Sequence, residues 1–280
     1  SVFKPLHYGL RLMLRGRQVR IFTVASGTEV DVLVLEDLLD GARTFDWKEQ
    51  AFSDVRGFPT SVGFLQNRLV IGGSRDLPDQ IWMSKTGRPF DFDLGTGLDD
   101  EAISFRLAAE RRHVISSVFT GRQLQVFTAA GEWVVKGSPL TPSSIHVELQ
   151  TSIGSYAARR IPPIDVDGAT LFVGSTGRDL REFLFADTEQ AYQAADLALL
   201  SRHLMQGPVD VAFDQGRRLL LVVRSDGKLA AVTLDRNSNV VAWTLLTTDG
   251  LFRAALNLGG QTWFLVERMG SVFMERLDES

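Results

Sequence analysis

The side chains able to do chemistry are few and scattered. There are four histidines, His7, His113, His146 and His203, and no cysteine. No two histidines stand at metal-ligand spacing and none belongs to an HExxH pattern, so each reads as a structural residue. The lack of cysteine excludes disulfides, thiolate catalysis, Cys-ligated zinc and iron–sulfur clusters together. The densest group of carboxylates is Asp91, Asp93, Asp99, Asp100 and Glu101, interleaved with Gly95 and Gly97. Carboxylates in a glycine-containing loop suit Ca²⁺, a hard cation that takes oxygen ligands, and Asp91, Asp93, Asp99 and Asp100 are the residues such an ion would use. The run does not follow the D-x-[DN]-x-[DN]-G template, however. Paired carboxylates also serve glycoside hydrolysis, which needs a separation that sequence does not give. The expectation is a solvated loop with turn-capping aspartates, holding no metal, no cofactor and no catalytic residue.

Other motifs point the same way. Gly72-Gly73, Gly95-Thr96-Gly97 and Gly259-Gly260 form neither a Walker A loop nor a strand–GxGxxG–helix unit, and read as tight turns and close strand contacts. No GxSxG nominates a serine nucleophile. Ser225-Asp226-Gly227 resembles part of a sialidase-type Asp-box but lacks the closing Trp, and reads as a hairpin turn. Arginines cluster at Arg15/Arg17/Arg20, Arg111/Arg112, Arg159/Arg160 and Arg217/Arg218. They read as solvated surface, placed on one rim of the fold or along its channel.

The elements that must position these residues are short strands. Runs of five to eight apolar or alternating residues are separated by Gly-, Asp- or Asn-containing turns. They fall into groups of strand, turn, strand, turn, strand: Leu10 to Leu35, Thr60 to Ser84, Val114 to Val135, Pro163 to Phe185, Val209 to Leu234 and Phe252 to Leu277. Aromatic runs at Thr44 to Lys48, Phe90 to Leu94, Ile145 to Thr151 and Val240 to Leu246 supply fourth, outer strands. The groups recur every roughly 40–55 residues, the period of a propeller blade. A small sheet has two apolar faces, and stacking sheets face to face around an axis buries both. The fold class expected is therefore all-β: a β-propeller of about six three- to four-stranded blades, forming one domain over residues 1–280. A β-sandwich is the rival topology. One inserted helix is expected near 188–205, because Tyr192, Ala195, Leu199 and His203 fall at helical spacing before the Gln206-Gly207-Pro208 stop. A weaker helical pattern spans Val32 to Leu39.

Of 280 residues, 44% are hydrophobic and 23% charged, so wholesale disorder is excluded. The formal net charge of −4 does not favour a nucleic-acid groove or an anionic membrane. No apolar run reaches the roughly 18–20 residues of a membrane helix, so no membrane insertion is expected. The chain opens at Ser1 rather than Met, and reads as a fragment of a longer protein.

Several strings stand in a fixed order: Trp47 with Ala51-Phe52-Ser53; Gly57-Phe58-Pro59; Arg68-Leu69-Val70-Ile71-Gly72-Gly73; Ile81-Trp82-Met83-Ser84; Phe90-Asp91-Phe92; Asp99-Asp100-Glu101-Ala102-Ile103; Gly131-Glu132-Trp133; Arg178-Asp179-Leu180-Arg181-Glu182; and Val241-Ala242-Trp243. This series resembles tail nozzle proteins (tail tubular protein B) of short-tailed bacteriophages and related prophage tail proteins, over most of the chain. The resemblance implies a non-enzymatic structural component of the virion tail, assembled in the host cytoplasm, through which DNA is ejected without sequence readout. Its implied partners are the other subunits of a tail ring, a hexamer in the particle, and adaptor proteins. It implies no catalytic or cofactor-binding residue. Trp82, Trp133 and Trp243 would be blade-packing aromatics, and Arg68 and Asp100 polar ties between strands. The alternative is a propeller that binds or cleaves host-surface glycan, with aromatics and carboxylates converging at one mouth.

Overall fold

The computed structural model describes residues 2–108, 113–186, 191–236, 238 and 240–278. Local turn chemistry sets where strands end. Arg15-Gly16, Asp167-Gly168 and Met269-Gly270 each place two successive residues at positive φ, and so does Gln66-Asn67. Two positive φ values in a row give the hairpin turn whose twist matches that of paired strands.

Between these turns lie six antiparallel sheets. Blade 1 holds β1 (Arg11–Leu14), β2 (Arg17–Val24), β3 (Val30–Val34) and β4 (Trp47–Glu49). Blade 2 holds β5 (Pro59–Leu65), β6 (Arg68–Ser74), β7 (Gln80–Met83) and β8 (Ile103–Arg106). Blade 3 holds β9 (Ile115–Thr120), β10 (Leu124–Thr128), β11 (Gly131–Lys136) and β12 (His146–Thr151). Blade 4 holds β13 (Ile164–Val166), β14 (Ala169–Val173), β15 (Leu180–Ala186) and β16 (Ala191–Asp196). Blade 5 holds β17 (Pro208–Asp214), β18 (Leu219–Arg224), β19 (Leu229–Asp235) and β20 (Val240–Leu246). Blade 6 has three strands, β21 (Leu251–Leu258), β22 (Gln261–Arg268) and β23 (Ser271–Arg276). Blades 2 to 6 are simple meanders, whereas β4 pairs with β1, giving the order β3-β2-β1-β4. The fold is a β-propeller of six blades, as the grouping of strands and turns implies.

Three expected elements differ. There is no helix at 188–205: Thr188, Glu189 and Gln190 lie outside the described residues, Ala191–Asp196 is the fourth strand of blade 4, and Leu197–Leu204 is a run of turns. The reason is the open edge of β15, which β16 covers in register from Arg181↔Asp196 to Ala186↔Ala191. Strand alternation also aims Tyr192 into the core, stacked on Phe183 with ring centroids 4.6 Å apart. Phe90 to Leu94 is not a strand either; Phe90 is 91% exposed, and Ile103–Arg106 takes that place in blade 2. The helical pattern of Val32 to Leu39 gives way to β3 and bends.

Period-two alternation gives each sheet two apolar faces, and blades 2 to 6 stack through them. Val70, Ile81 and Met83 of blade 2 meet Val126, Trp133 and Val135 of blade 3. Phe127 and Val134, on the opposite face of blade 3, meet Phe172, Phe183 and Tyr192 of blade 4. Leu171, Val173 and Leu180 then meet Leu220, Val222 and Val232 of blade 5. Leu221, Val223 and Leu229 meet Phe252, Phe264 and Val266 of blade 6. Burying each such side chain contributes about 1.5–3 kcal/mol. Blade 1 has a smaller core of its own, Leu12, Val19 and Ile21 under Phe3.

Candidate functional site

The acidic loop between β7 and β8 is organised by a buried cation. Arg68 at the start of β6 is fully buried, and its Nη atoms donate to three carbonyls: Ser84 (2.8 Å), Glu101 (2.6 Å) and Asp99 (2.6 Å). Desolvation lowers the Arg68 pKa, and the nearby Asp100 charge opposes that shift. The tie runs from a strand to a loop backbone, rather than between two strands. Asp100 contributes its carbonyl, to the Thr86 N–H at 2.9 Å. Glu101 folds back into a nest of the Leu98, Gly97 and Thr96 N–H groups (2.7, 2.6 and 2.7 Å), which hold its pKa below the ordinary value. Asp91 and Asp93 face Lys85 at 3.8 and 3.5 Å. The four aspartates named as cation ligands therefore do not converge, and among the described residues no cluster of three acidic or histidine side chains could hold a metal.

The tryptophans are spread over the fold: Trp47 on blade 1, Trp82 on blade 2, Trp133 on blade 3, Trp243 on blade 5 and Trp263 on blade 6. Trp133 is buried in the joint between blades 2 and 3, and its Nε1 donates to His113 Nδ1 at 3.1 Å. That bond requires an unprotonated Nδ1, and burial accordingly lowers the His113 pKa. Trp243 packs on the joint between blades 4 and 5 and donates to the Leu197 carbonyl at 3.0 Å, pinning the run of turns. Trp82 is only half-buried, edge-on to Phe52 at 4.8 Å. The other histidines go to separate places: His7 beside Glu49 (3.2 Å), His146 beside Glu148 (2.9 Å) and His203 exposed on the 197–206 segment.

Nothing in the sequence marks Glu132 of β11 as a titratable group of interest. It is fully buried, its pKa is pushed up to about 7 by desolvation, and its Oε1 has no hydrogen-bond partner. Thr151 and the backbone N–H groups of Ile153 and Gly154 counter that shift in part. Most of the arginine clusters are occupied: Arg15 by Asp40 at 2.9 Å, Arg218 by Asp167, and Arg160 by the Thr60 carbonyl at 2.8 Å. Arg111 and Arg112 lie outside the described residues.

The ends of the five-blade stack carry exposed apolar side chains. In blade 6 the face opposite the blade 5 joint presents Leu256, Trp263, Leu265 and Met274 around a groove of about 240 Å³. Leu265 is 42% and Met274 62% exposed. At the other end, register aligns Val62 with Ile71 and Trp82, on the blade 2 face turned away from blade 3. Val62 and Phe64 there are 61% and 62% exposed. Blade 1 approaches this end through Phe52 and the Arg56–Glu49 ion pair, and leaves an apolar cleft of about 370 Å³ beside Trp82.

No family model matches the chain. No curated protein matches it either. Among solved structures, a candidate 6-phosphogluconolactonase from Bacteroides uniformis aligns over 94% of this chain and 74% of its own, at 12% identity and a TM-score of 0.53. Raptor from Chaetomium thermophilum aligns over 79% and 21% at 13% identity and a TM-score of 0.47, and a nidogen/laminin complex over 96% and 91% at 10% identity and 0.41. At such identities the first of these likenesses speaks for the fold alone.

Proposed function

We propose that the chain is a structural assembly module: the propeller-bearing part of a short-tailed bacteriophage tail nozzle, working through subunit contacts with no chemistry of its own. The observation that carries the assembly role is the pair of open apolar sheet faces, Leu256/Leu265/Met274 on blade 6 and Val62/Phe64 on blade 2. Exposed contiguous apolar surface of this kind marks protein contact sites. These end faces have the same residue types and alternation as the faces already joined at the four joints inside the stack, so another sheet suits them. The nozzle identity rests on the ordered strings from Trp47 to Trp243. In this reading the module sits in a virion tail ring with adaptor proteins, and DNA passes it transiently.

Immunoelectron microscopy of virions from the parent phage, with antibodies against residues 2–278, tests it. Gold should lie on the tail below the head, and deletion of the coding region should leave DNA-filled heads without infectious tails. Unlabelled virions that stay infectious after the deletion would remove the proposal.

A further inference from the structure

We propose that a cleft at one end of blades 4 and 5 binds a small phosphate-bearing anion. This inference does not depend on the nozzle reading. The cleft has a volume of about 820 Å³, within the roughly 300–1,000 Å³ usual for small-ligand sites. One wall is the β14–β15 turn and the start of β15, with Arg178, Asp179 and Arg181; the other is the 197–206 segment, with Arg202 and His203. Three guanidiniums thus face one carboxylate, in a chain whose net charge is −4.

That carboxylate is already spent. Asp179 is buried and accepts from Arg181 Nε at 2.7 Å and from the Thr176 hydroxyl. Arg202 is held by Asp196, which does not line the cleft, through Nε and Nη2 at 3.2 and 2.8 Å. Arg181 also donates Nη1 to the Ala194 carbonyl at 3.3 Å. Each guanidinium has five N–H donors in a fixed fork, so Arg181, oriented by Asp179 and that carbonyl, and Arg202, oriented by Asp196, both keep donors for another partner. Arg178 and His203 are exposed, and among the described residues neither side chain has a hydrogen-bonding partner. The wall that carries Arg202 and His203 is anchored to the core. Ala198 and Met205 are fully buried, and the buried Arg224 donates to the Leu204 carbonyl and Gln206 Oε1 at 3.1 and 3.3 Å. A cleft with pre-oriented forks of one sign suits a multiply charged oxyanion, because guanidinium matches phosphate geometry. Its volume admits a small molecule and excludes a duplex.

Calorimetric titration of the chain with pyrophosphate at low ionic strength tests the site. Binding of one equivalent with a Kd below about 1 mM is expected. The Arg178→Ala/His203→Ala double variant removes only side chains that hold nothing in the fold. It should melt as the parent chain does and bind at least about tenfold more weakly, as expected when charge-assisted donors are lost. Absence of heat, or equal affinity in the double variant, overturns the proposal. So does a short single-stranded oligonucleotide that displaces pyrophosphate and binds more tightly, since the site would then belong to a nucleic-acid backbone.

Discussion

Glu132 is the residue whose chemistry most clearly conflicts with its surroundings. Its carboxyl is pushed up to about 7 from an ordinary 4.5, so the folded chain holds a proton there that the unfolded chain releases between those values. Its contribution is most favourable below pH about 4.5 and declines as pH rises through 7. At roughly 1.4 kcal/mol per unit the swing is about 3 kcal/mol. His113 acts with the opposite sign: its lowered pKa contributes stability above its ordinary range, near 6.5, that is lost on acidification. Glu132→Gln isolates the first effect, because glutamine keeps the acceptor for Thr151 and carries no charge. The variant should be more stable than the parent by about 1–3 kcal/mol at pH 8, with the gain vanishing near pH 4.5. Denaturant midpoints at both pH values check this; no gain at pH 8 would mean that Glu132 is solvated. Nothing in the string Gly131-Glu132-Trp133 announces this burial. Strand β11 turns Glu132 towards the β12–β13 connection, and only tertiary packing closes water out.

At the scale of elements, the strands and their turns were legible because their causes are local. A Gly or Asn at positive φ ends one strand and starts the next, and an apolar run between two such turns is a covered strand. The error at 191–205 has a nonlocal cause. Tyr192, Ala195 and Leu199 fit a helical stripe, yet Tyr192 and Ala194 also fit an alternating strand, and the open edge of β15 decides between them. The partners of Arg68 were not legible, since they are carbonyls contributed by residues 84, 99 and 101. The glycines separate into two kinds that sequence alone treats alike. Gly168 serves a turn at φ 78° with open space around it. Gly72 lies within β6, and a Cβ there would sit 2.5 Å from Val118 Cγ1, across the joint of blades 2 and 3. Gly72→Ala must therefore push two blades apart, costing about 1–3 kcal/mol by overpacking, whereas Gly168→Ala carries only backbone strain of about 1 kcal/mol. Chemical denaturation of the two variants should rank them in that order, and a Gly72→Ala midpoint equal to the parent's would mean that the joint is loose.

At the scale of the molecule, the face that is buried at one joint is bare at the end of the stack. Blade 5 covers both of its faces, with Leu221 and Val223 towards blade 6 and Leu220 and Val222 towards blade 4. Blade 6 covers Phe252, Ala255, Phe264 and Val266 and leaves Leu256, Leu265 and Met274 in water. Surface of this composition lowers its free energy by about 25 cal/mol for each Å² removed from water, but association also costs translational and rotational freedom. The isolated chain should therefore associate weakly, as a function of concentration. Leu265→Glu sets a charge in the middle of that face without touching the blade 5 joint. Sedimentation velocity should show concentration-dependent association in the parent chain and a monomer in the variant, with thermal melts that coincide. A tight hexamer of the isolated chain would contradict the weak association argued from these faces. Association undiminished in Leu265→Glu would place the contact elsewhere, and the blade 6 face would then need another reason for being apolar.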